Sequence, residues 1–494
     1  MASGVETGKI TTNIPARLDR LPWARWHWMI VVGLGTVWIL DGLEVTIVGS
    51  MTDALRPTST GIGLSSWGVG FAGAIYVAGA CLGALFFGQL TDRFGRKKLF
   101  MITLGVYLVG TVLTAFSMNP TWYFACRFIT GAGIGGEYAA INSAIDELIP
   151  ARYRGRVDIA INGSFWVGAA GGSLLTIPLL DPTIVDASIG WRLAFGLGAI
   201  LALGVLFVRR SVPESPRWLF IHGREDEGEE IVRDIERTVG QESGGELPEA
   251  RDSITVRQRR TIPLTLIAKT VFTMYPKRTV LCLSLFAGQA FLYNAFFFTY
   301  GDTLGTFFGV TQAGYYLAVF AASNFLGALL LSPLFDRIGR VVMITTTYIL
   351  SGVLLGITGF MLGSLDAKTL TLMGAIVFFF ASAGASAAYL TASEVFPMET
   401  RALCIAFFYA VGTAIGGITG PLLFGKLLSD ASSSKDITGI ALGYFIGAVL
   451  MIAGGIVEAF LGVKAEGRSL EEIARPLTAE DADSGGQRPA TANA

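Results

Sequence analysis

Three ionisable side chains stand in long apolar runs, where no water is at hand to solvate them. Asp41 and Glu44 interrupt the run from Trp28 to Ser50, and Arg127 interrupts the run from Thr121 to Asp146. A charge in such a setting costs several kcal/mol unless it is paired or hydrated, so each is a functional candidate. Asp41 and Glu44 stand at i and i+3, on one face of a helix. If successive runs cross a bilayer in alternating directions, Glu44 lies about 24 Å along the first helix. Arg127 then lies roughly 9 Å in from the opposite face. In a core roughly 30 Å thick those depths agree, so the residues can pair across a bundle. Reversible protonation is the chemistry open to such a pair. Apolar surroundings and a nearby guanidinium act on a carboxyl in opposite senses, so a change in their separation loads or releases a proton. A static pair that fixes helix packing is the alternative, and two carboxylates against one arginine count against it. Glu137, two-thirds of the way along the fourth run, is either a second titrating group or a structural hydrogen-bonding one.

A second constellation lies between the apolar runs. Gly88, Asp92, Arg93, Gly95 and Arg96, with Lys97 and Lys98, form a short basic loop after the second run. Asp336, Arg337, Gly339 and Arg340 repeat its core 244 positions later. Glu147-Leu148-Ile149-Pro150 with Arg154 recurs as Glu394-Val395-Phe396-Pro397 with Arg401, offset by 247. Two patterns with nearly one offset indicate a duplicated unit. In so apolar a chain, duplication points to a transporter built of two bundles. A carboxylate such as Asp92 can face the positive N-terminus of a helix from the other bundle, here the eleventh span near Arg401, and hold an inner gate shut.

The elements that must position these groups follow from composition. Of 494 residues, 52% are hydrophobic and only 15% charged, and the mean hydropathy is positive, which excludes an ordinary soluble domain. Cys81, Cys126, Cys282 and Cys404 lie far apart in apolar runs, and His27 and His222 have no cluster around them, so neither a metal site nor a cofactor is expected. Glycines such as Gly131, Gly133 and Gly135 serve close helix approach, and with no strand before them they do not form a nucleotide loop. Twelve runs are long enough to span a bilayer: 28–50, 63–90, 98–117, 121–146, 156–180, 190–208, 279–301, 312–334, 341–363, 368–393, 402–428 and 438–462. The expected fold is an all-α membrane protein of twelve transmembrane helices in two pseudo-symmetric six-helix bundles, 28–208 and 278–463. An N-terminal segment (1–27), a linker with short helices (209–277) and a largely disordered tail (464–494) flank them. Arg56, Arg192, Lys368, Lys426 and Lys435 are the five loop cations on one side and nearly all others fall on the opposite side. By the positive-inside rule both termini are cytoplasmic, in the plasma (inner) membrane.

The loop motif Gly-x-x-x-Asp-Arg-x-Gly-Arg-Lys-Lys resembles the diagnostic motif of the major facilitator superfamily. The repeated Glu-x-x-Pro-x-x-x-Arg, with Pro213-Glu214-Ser215-Pro216-Arg217-Trp218-Leu219, resembles its sugar-porter-like branch. Arg127 opens an Arg-x-x-x-Gly-x-Gly-x-Gly stretch, and Glu44 falls where proton-coupled sugar porters carry an acid, so the resemblance implies that these two form the protonation pair. Asp41-Gly42-Leu43-Glu44 also resembles the Asp-Gly-x-Asp motif of aromatic-acid/proton symporters. The resemblance further implies a substrate set of Gln289 and Asn294, with Tyr293 beside them, in the seventh span, Asn162 in the fifth and Tyr389 in the tenth. Half of the sugar-binding pattern is altered, with Gly288, Leu292 and Tyr293 replacing a glutamine, a serine and a glycine. It implies an inner gate that adds Glu214 and Arg217 to the repeated motifs.

The sequence therefore reads as a secondary active carrier, not an enzyme. It moves a small polar metabolite with protons by alternating access, with a sugar or polyol favoured and an organic or aromatic acid, or facilitated uniport, as the alternatives. Its partners are the substrate, protons and the lipid bilayer, not nucleic acid, and it acts as a monomer. An ATP-driven pump is excluded by the want of a P-loop sequence.

Overall fold

The computed structural model describes residues 6–209, 213–243, 247–250, 253–259, 264–310, 312–397 and 400–477. The side chains of Asp92, Arg93, Asp146, Phe297 and Phe298 lie outside the described set. Strand β1 (Glu6–Thr12) and helix α1 (Ile14–Asp19) precede the first long helix, α2 (Arg25–Ser50). A single turn, α3 (Thr52–Leu55), leads to α4 (Ser66–Phe94), α5 (Arg96–Ala115) and α6 (Pro120–Leu148). Then come α7 (Ala151–Gly163), α8 (Phe165–Leu179) and α9 (Ala187–Arg209). The linker holds α10 (Pro216–Ile221), α11 (Glu225–Ser243), β2 (Ile254–Arg259) and α12 (Leu264–Lys269). The second half runs through α13 (Pro276–Phe308), α14 (Gly314–Arg337), α15 (Arg340–Met361) and α16 (Ala367–Glu394). It ends with α17 (Arg401–Thr413), α18 (Thr419–Ser434), α19 (Ala441–Leu461) and the short α20 (Leu470–Ile473).

Ten spans among the described residues are long and apolar enough to cross a bilayer. Two of the twelve expected runs miss that measure for local reasons. Helix α6 carries Arg127, Glu137 and Glu147 along one length. The fifth run turns at Ser164 between helices of 13 and 15 residues, each too short to cross by itself. Ser164 Oγ donates to the carbonyls of Ile161 (2.6 Å) and Gly35 (3.0 Å) at the break. The eleventh run bends too, through a π-helical turn at Ala414–Ile418 between α17 and α18.

Within the first half α4 packs on α6, α2 on α8, and α5 on α6 and α9; in the second, α15 packs on α19 and α14 on α16. The halves meet where α14 lies against α7 and α8, and α17 against α4. Glycine makes the close α4–α6 crossing possible. A Cβ on Gly135 would stand 1.9 Å from the Ala80 carbonyl oxygen of α4, and one on Gly83 would stand 2.1 Å from that of Ala132 on α6. Backbones can therefore touch where lipid offers no hydrophobic drive for association.

The segment before α2 is more ordered than a plain cytoplasmic tail. Strand β1 pairs antiparallel with β2, Ile10 opposite Val256. Arg17 bridges Glu229 at 2.7 Å and Glu236 at 2.6 Å on α11, which buries Val232, Ile235 and Val239. The start of the expected disordered tail also folds: α20 buries Leu470 and Ile473, while 478–494 lie outside the described residues.

The α4–α6 crossing yields a test. Gly135→Ala should cost about 1–3 kcal/mol by overpacking, read as a lowered melting temperature in detergent. Gly425→Ala, with no atom within 4 Å of the added carbon, should leave it unchanged or slightly raised. Equal melting of the two variants would contradict the packing assigned to Gly135.

Candidate substrate site and inner face

Between the halves lies a cavity with about 140 Å³ open to the centres of water molecules. All five side chains expected at the substrate line it: Asn162 from α7, Gln289, Tyr293 and Asn294 from α13, and Tyr389 from α16. Neighbouring groups fix their orientation. Tyr293 donates its hydroxyl to Asn324 Oδ1 on α14 at 2.8 Å. Asn162 Nδ2 donates to Asn142 Oδ1 (3.2 Å) and to the Asp158 carbonyl (2.9 Å), while its Oδ1 has no partner among the described residues. Asn294 Nδ2 is used by the Ala290 carbonyl at 2.8 Å.

Trp38, Tyr76, Tyr138, Phe165, Trp166 and Tyr409 add aromatic faces to the wall, Ser382, Ser386 and Thr413 are further polar groups, and small aliphatic side chains fill the rest. Trp38 Nε1 and Thr413 Oγ1 are buried without a hydrogen-bond partner among the described residues. Sequence reasoning missed these residues. Only Trp38 carried a signal, since it stands three residues before Asp41 and so shares its helix face.

The intramembrane acids separate into two environments. Glu44 Oε1 pairs with Arg127 Nη1 at 2.6 Å, and Thr111 Oγ1 donates to Glu44 Oε2 at 3.0 Å. Both partners are buried, Arg127 at 0% and Glu44 at 2% exposure. Asp41 does not share the arginine. It accepts hydrogen bonds from the Tyr76 hydroxyl (3.1 Å) and the Tyr138 hydroxyl. Arg127 lies over the Tyr76 ring, 4.4 Å from its centre, so one tyrosine touches both acid sites. Glu137 turns to α5, where Thr103 Oγ1 donates to it at 3.3 Å, and does not line the cavity.

On the face where the N-terminal and C-terminal segments gather, the two copies of the repeated motifs build matching ion pairs. Arg96 meets Glu147 at 2.6 Å in the first half, and Arg340 meets Glu394 at 3.1 Å in the second. Glu147 also accepts from the Ser215 hydroxyl. Glu214 caps α5 by accepting the backbone N–H groups of Arg96 (3.0 Å) and Lys97 (3.2 Å), a favourable place for negative charge. Gly95 permits this: it has φ +91°, and a Cβ there would stand 2.7 Å from Glu214 Oε2. Gly88 lets α4 approach α17, where its Cβ would lie 2.9 Å from that of Ala406.

Asp336 joins the halves. It pairs with Arg340 at 2.7 Å and accepts the Arg156 backbone N–H at 3.0 Å. Arg154, fully buried, lies 3.4 Å from Asp19 of α1; Arg217 lies 3.3 Å from Glu471 of α20; buried Arg401 donates to the Phe396 carbonyl at 3.3 Å. Arg337 is exposed. Burial works against the charge of Glu471, yet Arg217, Arg401 and Arg154 hold its carboxyl below the usual range. A depressed acid contributes stability above its unfolded value and loses it only as pH falls through the folded one. The contact is thus intact at neutral pH. The opposite face carries its own bridge between the halves, Arg56 to Asp302 at 2.5 Å.

The whole chain has known relatives. Residues 25–477 match the family model of the sugar (and other) transporters. A niacin transporter of Acinetobacter baylyi is 28% identical over 468 residues, covering 93% of this chain and 99% of that one. A putative metabolite transport protein of Escherichia coli, YdjK, is 29% identical over 93% of this chain and 96% of its own length. Among solved structures, the proton:xylose symporter XylE with a bound bromodeoxyglucose aligns with a TM-score of 0.72 at 18% identity, over 90% of this chain and 98% of that one. The chain, a multi-pass membrane transporter of small molecules and not an enzyme, belongs to the sugar (and other) transporter family of the major facilitator superfamily.

Proposed function

We propose that the chain is a proton-coupled symporter of a small, ring-bearing metabolite, working by alternating access between its two halves. One observation carries the substrate reading: the cavity wall holds eight aromatic rings and three amides, and no lysine or arginine among its described residues. Rings favour flat, apolar faces, and amides supply both donors and acceptors. A carboxylate would find no cation there, so its charge is met by a proton taken up with it. This favours an aromatic acid travelling with a proton over the sugar or polyol that the sequence alone favours. The relative named as a niacin transporter supports the same choice. A sugar remains the second reading, because Gln289 and Asn294 keep the amides expected of a hydroxyl-binding site.

Glu44 is the proposed proton carrier, since its charge is balanced by Arg127 on another helix of the same half, and a shift of α2 against α6 would change their distance. Asp41 lies nearer the cavity, and Glu137 remains a further candidate. The inner ion pairs close the cytoplasmic side, and substrate passage requires the Asp336–Arg156 contact to part. The protein is proposed to work as a monomer in the plasma membrane, with both termini cytoplasmic.

Two outcomes follow for reconstituted protein. Labelled niacin should concentrate inside proteoliposomes under an inward proton gradient, about tenfold per pH unit for one proton. Glu44→Gln should abolish that accumulation while preserving exchange across the membrane. Undiminished accumulation by the variant would place the coupling proton elsewhere. For the gate, Arg340→Ala leaves Glu394 buried without its partner, a change worth about 3–5 kcal/mol. It should raise the labelling of cysteines placed in the cavity from the inner face; labelling equal to that of the parent would remove Arg340 from the gate.

A further inference from the structure

The floor of the cavity is a stack of aromatic rings contributed by both halves. Trp38 of α2 and Tyr138 of α6 stack with centres 4.7 Å apart and planes 16° from parallel. From the other half, Tyr389 meets Trp38 edge-on at 5.6 Å, and Tyr409 meets Tyr138 edge-on at 4.8 Å. Phe286 backs Tyr389 at 4.9 Å, and all five rings are buried. Tyr138 is ten residues from the inner end of α6, about 15 Å along the helix, and Tyr389 is five from that of α16, about 8 Å. The rings therefore lie between the cavity and the inner face. Opening inward must separate Tyr138 from Tyr409 and Trp38 from Tyr389.

One ring of this plug is tied to an acid. The Tyr138 hydroxyl donates to Asp41 Oδ2, while Tyr76 donates to Oδ1 from the opposite side. Asp41 is 2% exposed, and no cation pairs with it among the described residues. An ionised carboxylate accepts both hydroxyls; a protonated one becomes a donor at one oxygen and gives up that strong acceptor. The other titratable groups with an electrostatic influence on this corner are Glu44 on the same helix, Glu137 on α6 and Tyr107 on α5. Tyr389 and Tyr409 face Asp41 from the second half, and Arg127 is engaged by Glu44. Only Tyr138 both bonds to Asp41 and belongs to the plug.

We propose that Tyr138 is a positioning residue that carries the charge state of Asp41 to the inner gate. With Asp41 ionised, the hydroxyl bond holds the Tyr138 ring against Trp38 and Tyr409, and the inner side stays shut. With Asp41 protonated the bond weakens, the ring is free to leave the stack, and the inner path opens under the substrate. The ring supplies the seal and the hydroxyl supplies the control. This rests on the proton-symport reading for its purpose, but not for its geometry.

The test uses the full chain in membrane vesicles that expose the inner face. A single reporter, Ser386→Cys in the cavity wall, is labelled there with a charged, membrane-impermeant maleimide; the four native cysteines are buried. Tyr138→Phe keeps the ring and removes the bond, so labelling at pH 8 should rise about fivefold, the population change for one lost hydrogen bond. Asp41→Asn should do the same, and the double variant should gain no more than either alone, because both cut one link. As pH falls from 8 to 5.5, the ratio of variant to parent should shrink toward one as the parent's Asp41 takes up its proton. Parent-like labelling in Tyr138→Phe, additive gains in the double variant, or a ratio independent of pH would each overturn the proposal. If the expected pattern holds while no pH gradient drives uptake, the plug stands and the symport reading falls.

Discussion

Everything in this structure is arranged around the cost of keeping charge inside a membrane. Arg127 and Glu44 are both fully enclosed, and each is tolerable only because the other stands 2.6 Å away. Removing one partner of such a pair leaves an uncompensated buried charge, which is worth about 3–5 kcal/mol. The pair therefore fixes how α2 and α6 sit in the first half. A link so costly to break statically is also one through which a proton can act. Protonating Glu44 leaves Arg127 charged without its counter-ion, and that cost is what drives the helices to rearrange.

From that pair a continuous set of contacts leads to the substrate cavity. Arg127 lies on the Tyr76 ring, Tyr76 donates to Asp41, Asp41 accepts from Tyr138, and Tyr138 stacks on Trp38 in the cavity wall. Around 15 Å further toward the inner face, the repeated Arg–Glu pairs and the crossing contact of Asp336 with Arg156 hold the halves together. The linker and both terminal segments add to this layer. Asp19 from the N-terminal segment and Glu471 from the C-terminal segment face two buried arginines, Arg154 of α7 and Arg217 of the linker helix α10. This layer thus draws on both halves, the linker and both terminal segments.

The fold was legible in the sequence because its signals are local and repeated. The loop from Gly88 to Lys98 and its copy at Asp336 mark two equivalent corners, and apolar length marks the spans. The Glu44–Arg127 pair was legible for the same reason, since a charge in an apolar run is conspicuous. The aromatic floor was not. Trp38, Tyr138 and Tyr409 are as compatible with a lipid-facing surface as with a cavity, and only tertiary packing decides between them. Helix α6 and the broken fifth run show the converse limit. Charges lower the apolar signal of the one, and the turn at Ser164 divides the other into two short helices, without removing either span. The pairing of β1 with β2 was invisible, because two short polar segments about 245 residues apart have no local feature that requires a partner.

The central claim is that a proton and a ring-bearing metabolite move together through this cavity. The most direct measurement is the internal pH of proteoliposomes that hold the purified protein and a trapped pH-sensitive dye, with no gradient imposed at the start. Adding niacin outside at a pH where it is ionised should acidify the interior at a rate that scales with protein content and far exceeds that of protein-free liposomes. Niacin entry without acidification, or acidification driven by xylose and not by niacin, would contradict the account.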